Sequence, residues 1–195
     1  MPKLLYQGHG SYRLTGGDGR TVYVDPYRGK GYGAPADLIL VTHQHGDHNK
    51  VGRCAKKAGC VVITNAEALN GGAHNEFDLG WIKITAVEAY NKRHDRNSCV
   101  GYIIVFDGVK IYASGDTSRT KQMETFGARG LDCALFPGDG IFNMGPAEAA
   151  ECARIVGAKR NVLIHLKPGE SVAKKAGMWD APNKLVLLPG QEVDL

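Results

Sequence analysis

Residues 38–48 constrain this chain more than any other stretch, because an apolar run of strand type leads directly into a cluster of metal-binding side chains. The cluster places three histidines and one aspartate within six positions: His43, His45, Asp47 and His48. Side chains alternate along an extended chain, so His43 and His45 are predicted to point to one side and to share one metal ion. The small Gly46 allows a bend that would aim Asp47 and His48 at a second ion. A single histidine would fit an ordinary core or surface role, but polar groups this dense at a strand end need a partner such as a metal.

The composition is that of an ordinary globular protein. The length of 195 residues allows a sizeable core, and we expect one domain over residues 1–195. Hydrophobic residues make up 43% and charged residues 23%, a balance that argues against disorder. The 24 basic and 20 acidic residues leave a net charge of +4, and the excess is scattered. A solvated surface is therefore favoured over a nucleic-acid groove.

The cysteines and the N-terminus bear on the compartment. The five cysteines are an odd number, dispersed and without a CxxC pair, which is typical of reduced thiols rather than of a disulfide framework. The N-terminal residues contain no apolar run of signal-peptide length, and no later stretch reaches membrane-spanning length. The sequence predicts a cytoplasmic protein that does not enter a membrane.

The first half of the chain predicts short strands separated by glycine-rich turns. These strands cover residues 4–6, 12–14, 21–25, 38–42, 60–64 and 81–89. Apolar and small residues at helical spacing predict a helix over residues 49–58, stopped by Gly59. A shorter helix is predicted over residues 66–70.

The second half opens with a hairpin and continues with alternating strand-like and helical runs. Asp107-Gly108, between apolar residues 100–106 and 109–114, is a strong turn signal. Pro146 marks the start of a helix over residues 146–156. Further strands are predicted over residues 132–136, 161–165 and 184–188. Strands in two groups with interspersed helices favour two sheets packed face to face and flanked by helices.

Further ligand-type residues follow other strand-like runs. Asp116 comes after a glycine at the end of residues 110–114, and His165 ends the run 161–165. Between them, residues 132–140 end in a glycine-rich turn. Taken singly, Asp116 fits a turn former as well as a ligand, and His165 fits a packed residue somewhat better. Together with the cluster at 43–48 they can converge on one edge of the sheets, where ligand sites gather.

These motifs, in this order and at these separations, resemble the metallo-β-lactamase superfamily over nearly the whole chain. The similarity is closest to its branch of cytoplasmic metal-dependent hydrolases related to L-ascorbate-6-phosphate lactonase. The resemblance implies an α+β fold, a four-layer αββα sandwich with a dinuclear site, usually zinc, at one edge. It also implies His43 and His45 as ligands of the first metal and Asp47, His48 and His165 as ligands of the second. Asp116 would lie between the ions.

The chain departs from the family pattern at one ligand. Asn91 stands where the third histidine of the first metal is expected, and a neutral amide oxygen suits harder ions than zinc. His94, three residues later, is the candidate replacement, with a surface histidine as the alternative. If neither residue binds, a single metal or a different ion such as Mn²⁺ would dominate. His9, in a Gly-His-Gly turn, and Asn91 are candidates for a contact with a metal ligand or the substrate, and a turn role bonded to backbone fits His9 equally well.

The resemblance implies a hydrolase. Two close divalent cations make hydroxide available near neutral pH, and Asp47 is the natural residue to hold the water and move its proton. Ser114 lacks a GxSxG frame and offers no rival nucleophile. We expect a small ester, lactone or phosphoester as substrate. A phosphodiesterase or nuclease acting on RNA or nucleotides comes second, and a catalytically weak metal-binding module is the alternative that Asn91 supports. The oligomeric state is left open.

Overall fold

The computed structural model describes residues 1–167 and 169–195. The strands, in chain order, are β1 (Lys3–Gly8), β2 (Ser11–Thr15), β3 (Thr21–Val24), β4 (Ala36–Leu40), β5 (Lys56–Ile63), β6 (Leu69–Asn70), β7 (Ala73–His74), β8 (Glu76–Asp78), β9 (Ile82–Glu88), β10 (Val100–Phe106), β11 (Val109–Ala113), β12 (Cys133–Pro137), β13 (Arg160–Ile164), β14 (Lys184–Leu185) and β15 (Glu192–Asp194). The α-helices are α1 (Asn65–Ala68), α2 (Pro146–Val156) and α3 (Val172–Met178). Short 3₁₀ helices cover Val51–Arg53, Lys121–Thr125 and Gly127–Arg129.

Two sheets form the body of the fold. The first has the strand order β15-β1-β2-β3-β4-β5, and the second has the order β14-β13-β12-β11-β10-β9-β8. Apolar side chains from both sheets share one core cluster, which includes Leu14, Leu38, Ile104 and Leu135. Burying a side chain of this size contributes about 1.5–3 kcal/mol, so this interface between the sheets is the main source of stability. The two-sheet sandwich expected from the sequence is confirmed.

The outer faces of the two sheets are covered differently. Helix α2 packs Ala149, Ala150, Cys152, Ala153 and Val156 on the second sheet, together with Phe126 and Trp179. The outer face of the first sheet is covered by the irregular segment between β3 and β5, where Tyr32 and Cys54 pack on Ile39. The outer layer on this side is therefore mostly loop with a single 3₁₀ turn.

The helix predicted over residues 49–58 is wrong. Only Val51–Arg53 is helical, as one 3₁₀ turn, and β5 already begins at Lys56. The N–H of Ala55 donates to Tyr32 O, and Ala55 O accepts from Ala36 N, so long-range backbone bonds replace helical ones. Partners distant in sequence outweigh the local spacing of apolar residues, because helix propensity is a weak preference that tertiary contacts override.

The other predicted elements hold with shifts at their ends. Helix α2 has the predicted bounds, while the short helix near residue 66 is only Asn65–Ala68 and the closing strand is only Lys184–Leu185. The hairpin turn has φ of +49° at Asp107 and +80° at Gly108, the combination that a tight two-residue turn requires. None of the helices in the described residues is long and apolar enough to cross a membrane.

The strand directions bring the ligand-type residues to one edge. β3, β4 and β5 are parallel in the first sheet, and β11, β12, β13 and β14 are parallel in the second. β9 is antiparallel to β10, which is antiparallel to β11, so β9 also runs with β11. Side chains at the carboxyl ends of such strands meet at the same edge of a sheet, which is where α/β folds place their ligands.

Candidate metal centre

Asp116 is the centre of the site. It is buried directly after β11, and its carboxylate faces the Nε2 atoms of four histidines from three loops. The distances are 3.3 Å to His94, 3.3 Å to His165, 3.5 Å to His48 and 4.0 Å to His43. One carboxylate therefore connects residues from the loops after β4, β9 and β13.

His43, His45 and His94 form the first ligand group. Their ring centroids lie 4.6 to 5.0 Å apart, and each ring offers a nitrogen within 4.8 Å of the others. His43 and His94 are buried and His45 is exposed. The buried Nε2 atom of His43 finds no hydrogen-bond partner in the described part of the chain. An unpartnered nitrogen in a triad of imidazoles fits a tetrahedral zinc-type ion with one open position.

His9, Asp47, His48 and His165 form the second ligand group, with one ligand atom of each within 4.8 Å of the others. The Nε2 atoms of His48 and His165 lie 3.1 Å apart. The Nδ1 atom of each ring faces a different carboxylate, Asp25 or Asp139, so the two Nε2 atoms converge on each other. A cation held between them would relieve this arrangement, so the residues present fit a second ion.

Two glycines next to site residues lie too close to neighbouring atoms to carry a side chain. Gly115 has φ of +64°, and a Cβ there would lie 2.8 Å from Val100 O. A Cβ on Gly10 would lie 2.8 Å from Cε1 of His48. These contacts are closer than real Cβ atoms allow, so the glycines before Asp116 and after His9 are needed for the geometry of the site.

Asn91 lies outside the ligand groups. Its Oδ1 accepts from Arg93 N at 2.8 Å and from His94 N at 3.1 Å, and it is 3.0 Å from His94 Nδ1. The structure thus brings His94, and not Asn91, against His43 and His45. The amide of Asn91 lies behind the imidazole ring of His94.

Asp25 supports one histidine of each group and was not singled out from the sequence. His48 Nδ1 donates to Asp25 Oδ2 at 2.8 Å. Thr42 donates its N–H and its hydroxyl to the same carboxylate, at 2.8 and 2.7 Å, and Thr42 Oγ1 is 3.0 Å from His43 Nδ1. Because the hydroxyl proton goes to Asp25, Thr42 Oγ1 accepts from His43, which leaves the Nε2 atoms of both rings facing inward. The available signal was the position of Asp25 at the end of a strand, before Pro26.

Burial and charge shift the pKa values of the site in opposite directions. Burial, helped by His48, lowers the pKa of His43 to about 3. Burial also disfavours a charged His165, but the carboxylates of Asp116 and Asp139 outweigh it and raise its pKa to about 9. Burial likewise opposes ionisation of Asp116, yet His48 and His165 hold its pKa well below the usual range. The core of the site is an ionised carboxylate among imidazoles.

Asp47 lies at the mouth of the site and is about two-fifths exposed. His9 Nε2 is 3.0 Å from Asp47 Oδ2, and this contact is the main cause of a pKa of Asp47 well below its usual range. His9 is itself held with φ of +56°, and its carbonyl accepts from His165 N at 2.8 Å. The Gly-His-Gly turn therefore places an ionised carboxylate next to the open side of the second group.

A cavity of about 900 Å³ opens onto both groups. Its floor carries His45, Asp47, His94, Asp116 and His165. Its walls combine apolar side chains with basic ones: Tyr27, Ile141, Phe142, Leu166, Val172, Arg28, Arg93 and Lys167. This volume lies within the range typical of small-molecule sites.

The fold agrees with comparisons to known proteins. A profile of the Beta-lactamase superfamily domain matches residues 3–165. Over the full length of both chains, the protein is 30% identical to a UPF0173 metal-dependent hydrolase of Thermococcus onnurineus. It is 32% identical to a UPF0173 metal-dependent hydrolase of Thermus thermophilus, over 90% of this chain and 92% of that relative.

A solved structure gives the same result for the fold. Igni18, a metallo hydrolase from Ignicoccus hospitalis, superposes with a TM-score of 0.76 over 98% of this chain and 97% of Igni18, at 21% identity. The metallo-β-lactamase fold expected from the sequence is confirmed. The chain belongs to the beta-lactamase superfamily and, within it, to the UPF0173 metal-dependent hydrolases.

Proposed function

We propose that this protein is a dinuclear zinc hydrolase acting on a small anionic ester, lactone or phosphoester. The observation that carries the proposal is the pair of ligand groups on either side of Asp116, at the floor of a cavity of small-molecule size. Imidazole and carboxylate ligands with an open position are typical of catalytic zinc. The same donor set also accepts Mn²⁺, so zinc is the finer part of the proposal.

The two groups would hold one ion each. His43, His45 and His94 would bind the first, and Asp47, His48 and His165 the second. Asp116, in contact with residues of both groups, would lie between them. Two such ions lower the pKa of a water between them and polarise the bond under attack.

Asp47 would act on the attacking water. Its carboxylate is ionised, partly exposed and fixed by His9, so it can accept a hydrogen bond from a water in the cavity and take its proton. His9 serves as a positioning residue, because its contact with Asp47 fixes the direction of the carboxylate.

The cavity walls support a small anionic substrate. Arg28, Arg93 and Lys167 are exposed side chains around the cavity, and the carboxylates in the described part of its lining above the floor are Glu170 and the buried Asp139. Ile141 and Phe142, about half exposed, add an apolar face. Charge of one sign around a cleft raises the local concentration of an oppositely charged substrate.

The test is hydrolysis by the zinc-loaded protein of three simple probes: bis(p-nitrophenyl) phosphate, a γ-lactone and p-nitrophenyl acetate. We expect turnover of at least one probe, and its loss in His45→Ala, whose exposed side chain can be removed without a change in thermal unfolding. Full activity of this variant would contradict the mechanism. Tight metal binding without turnover would favour a binding module, and salt-sensitive cleavage of RNA would favour a nuclease.

A cytoplasmic location is part of the proposal. All five cysteines lie in the described residues and are free thiols, and four of them are buried. Free thiols are typical of reducing compartments.

A further inference from the structure

The segment 139–143 forms one wall of the cavity and is shaped by a buried carboxylate. Asp139 Oδ1 accepts from the backbone N–H groups of Ile141 and Phe142, both at 2.6 Å, and of Asn143 at 3.3 Å. Asp139 is buried, while Ile141 and Phe142 project into the cavity mouth. The position of this apolar wall therefore depends on Asp139.

The second oxygen of the same carboxylate faces the second ligand group. Asp139 Oδ2 is 3.2 Å from His165 Nδ1, although the ring N–H is not aligned for a full hydrogen bond. The carboxylate of Asp139 therefore lies behind His165, on the side of the ring opposite to Nε2, which faces Asp116.

Asn143 joins this carboxylate to the first ligand group. Its Nδ2 donates to Asp139 Oδ2 at 2.9 Å, and a carboxylate can only accept, so the amide orientation is determined. Its Oδ1 then accepts from Asn91 Nδ2 at 3.2 Å. Asn91 Nδ2 also lies 3.1 Å from Phe142 O, so Asn91 holds the apolar wall as well.

Asn91 completes the path to His94. Two backbone N–H groups occupy the side of its Oδ1, which confirms that the oxygen faces His94 Nδ1. The ring must donate from Nδ1 to this oxygen at 3.0 Å, which leaves Nε2 free as a ligand atom. A continuous chain of contacts thus runs from His94 through Asn91, Asn143 and Asp139 to His165.

We infer that Asn143 is a positioning residue that couples the two proposed metal sites to each other and to the apolar wall of the cavity. The inference rests on the proposed function, since His94 and His165 would each serve a different ion. Partners behind metal-binding histidines fix the tautomer and the ring direction, and their loss weakens metal binding about 10- to 100-fold. Loss of Asn143 removes a partner of Asp139 and a partner of Asn91 at once, so it should affect both ions.

The experiment is stepwise zinc binding to the metal-free full-length protein, in competition with a chromophoric chelator. The variants are Asn143→Ala and Asn91→Ala, and Ile141→Ala is the matched control on the same segment, outside the chain of contacts. His94→Ala identifies the step that belongs to the first group. We expect Asn143→Ala to weaken both steps by about tenfold or more, Asn91→Ala to weaken mainly the first-group step, and Ile141→Ala to change neither beyond about twofold.

The double variant Asn91→Ala/Asn143→Ala distinguishes an effect that passes through Asn91 from an independent weakening of each site. In the Asn91→Ala background, Asn143→Ala should no longer affect the first-group step, whereas independent effects would add. Additive losses on that step, or an Asn143→Ala variant that weakens one step or none, would overturn the inference. If Asn143→Ala does not fold, Asn91→Ala still tests the chain of contacts, because Asn91 is partly exposed. An unchanged first-group step in Asn91→Ala would then overturn the inference. A parent protein that does not bind two ions would instead contradict the proposed function.

Discussion

The two ligand groups differ in what stands behind their histidines. In the first group, His43 faces the hydroxyl of Thr42 and His94 faces the amide of Asn91, both neutral. In the second group, His48 and His165 face the carboxylates of Asp25 and Asp139. A carboxylate raises the basicity of an imidazole as well as orienting it, whereas a neutral partner only orients it. Removal of a charged partner should therefore cost more metal affinity than removal of a neutral one.

Asp25→Asn tests the charged side of this comparison. Asn tolerates the φ of +46° at this position and keeps the shape of the side chain. The change removes the charge behind His48 and turns one acceptor into a donor, which would face the N–H of Thr42 if the amide oxygen stays on His48. We expect zinc affinity of the second-group step to fall by about 100-fold, the upper part of the range for such partners. Chelator competition measures the loss, and a change confined to the first-group step would contradict the comparison.

Thr42→Val tests the neutral side. The change removes the hydroxyl between His43 and Asp25 at nearly constant volume, while Thr42→Ser keeps the hydroxyl and is the control. We expect the first-group step to weaken by about tenfold in Thr42→Val and to stay near the parent value in Thr42→Ser. A loss as large as that of Asp25→Asn would remove the distinction between charged and neutral partners.

The parts of the fold and of the site that could be predicted are those marked by a pattern within one short stretch of sequence. The cluster at 43–48 lies within one short stretch, and the runs ending at Asp116 and His165 are simple strand patterns, so the sheet edge and its ligand-type residues could be predicted. The helix over residues 49–58 could not be rejected, because the backbone bonds of Ala55 to Tyr32 and Ala36 are not visible in the local pattern.

The supporting contacts were the hardest part to predict. Asn91 lies where a histidine ligand was expected, and the sequence offered His94 as a substitute and Asn91 as a contact to a ligand or the substrate. It did not show that the amide contacts His94 itself. The partner of Asn91 is Asn143, which is separated from it by 52 positions. Asp25 is separated from His48 by 23 positions. Such pairs depend on the final register of the sheets, which a single sequence does not specify.

His9→Asn tests whether the contact of His9 with Asp47 positions that carboxylate for catalysis. Asn also tolerates the positive φ of this position but does not reproduce the contact between His9 Nε2 and Asp47. We expect kcat to fall by about tenfold, less than the roughly 100-fold or more that general base catalysis contributes, because Asp47 remains but is less well directed. The metal content should stay at two ions, and a loss of metal would show that His9 acts as a ligand instead.

Arg93→Gln has the smallest expected effect. Arg93 is exposed at the cavity and its guanidinium lies 5.1 Å from the ring centroid of Phe142. For an anionic substrate we expect KM to rise by about threefold with kcat unchanged, since exposed charges contribute little. A neutral ester of similar size is the control, and an equal rise in its KM would assign the effect to the apolar wall rather than to charge.

The proposed centre binds two ions, and His94, rather than Asn91, completes its first group. Elemental mass spectrometry of the protein purified without chelator, repeated on His94→Ala, tests this most directly. We expect close to two ions per chain in the parent and close to one in the variant. One ion in both proteins, or two in both, would contradict the proposed centre.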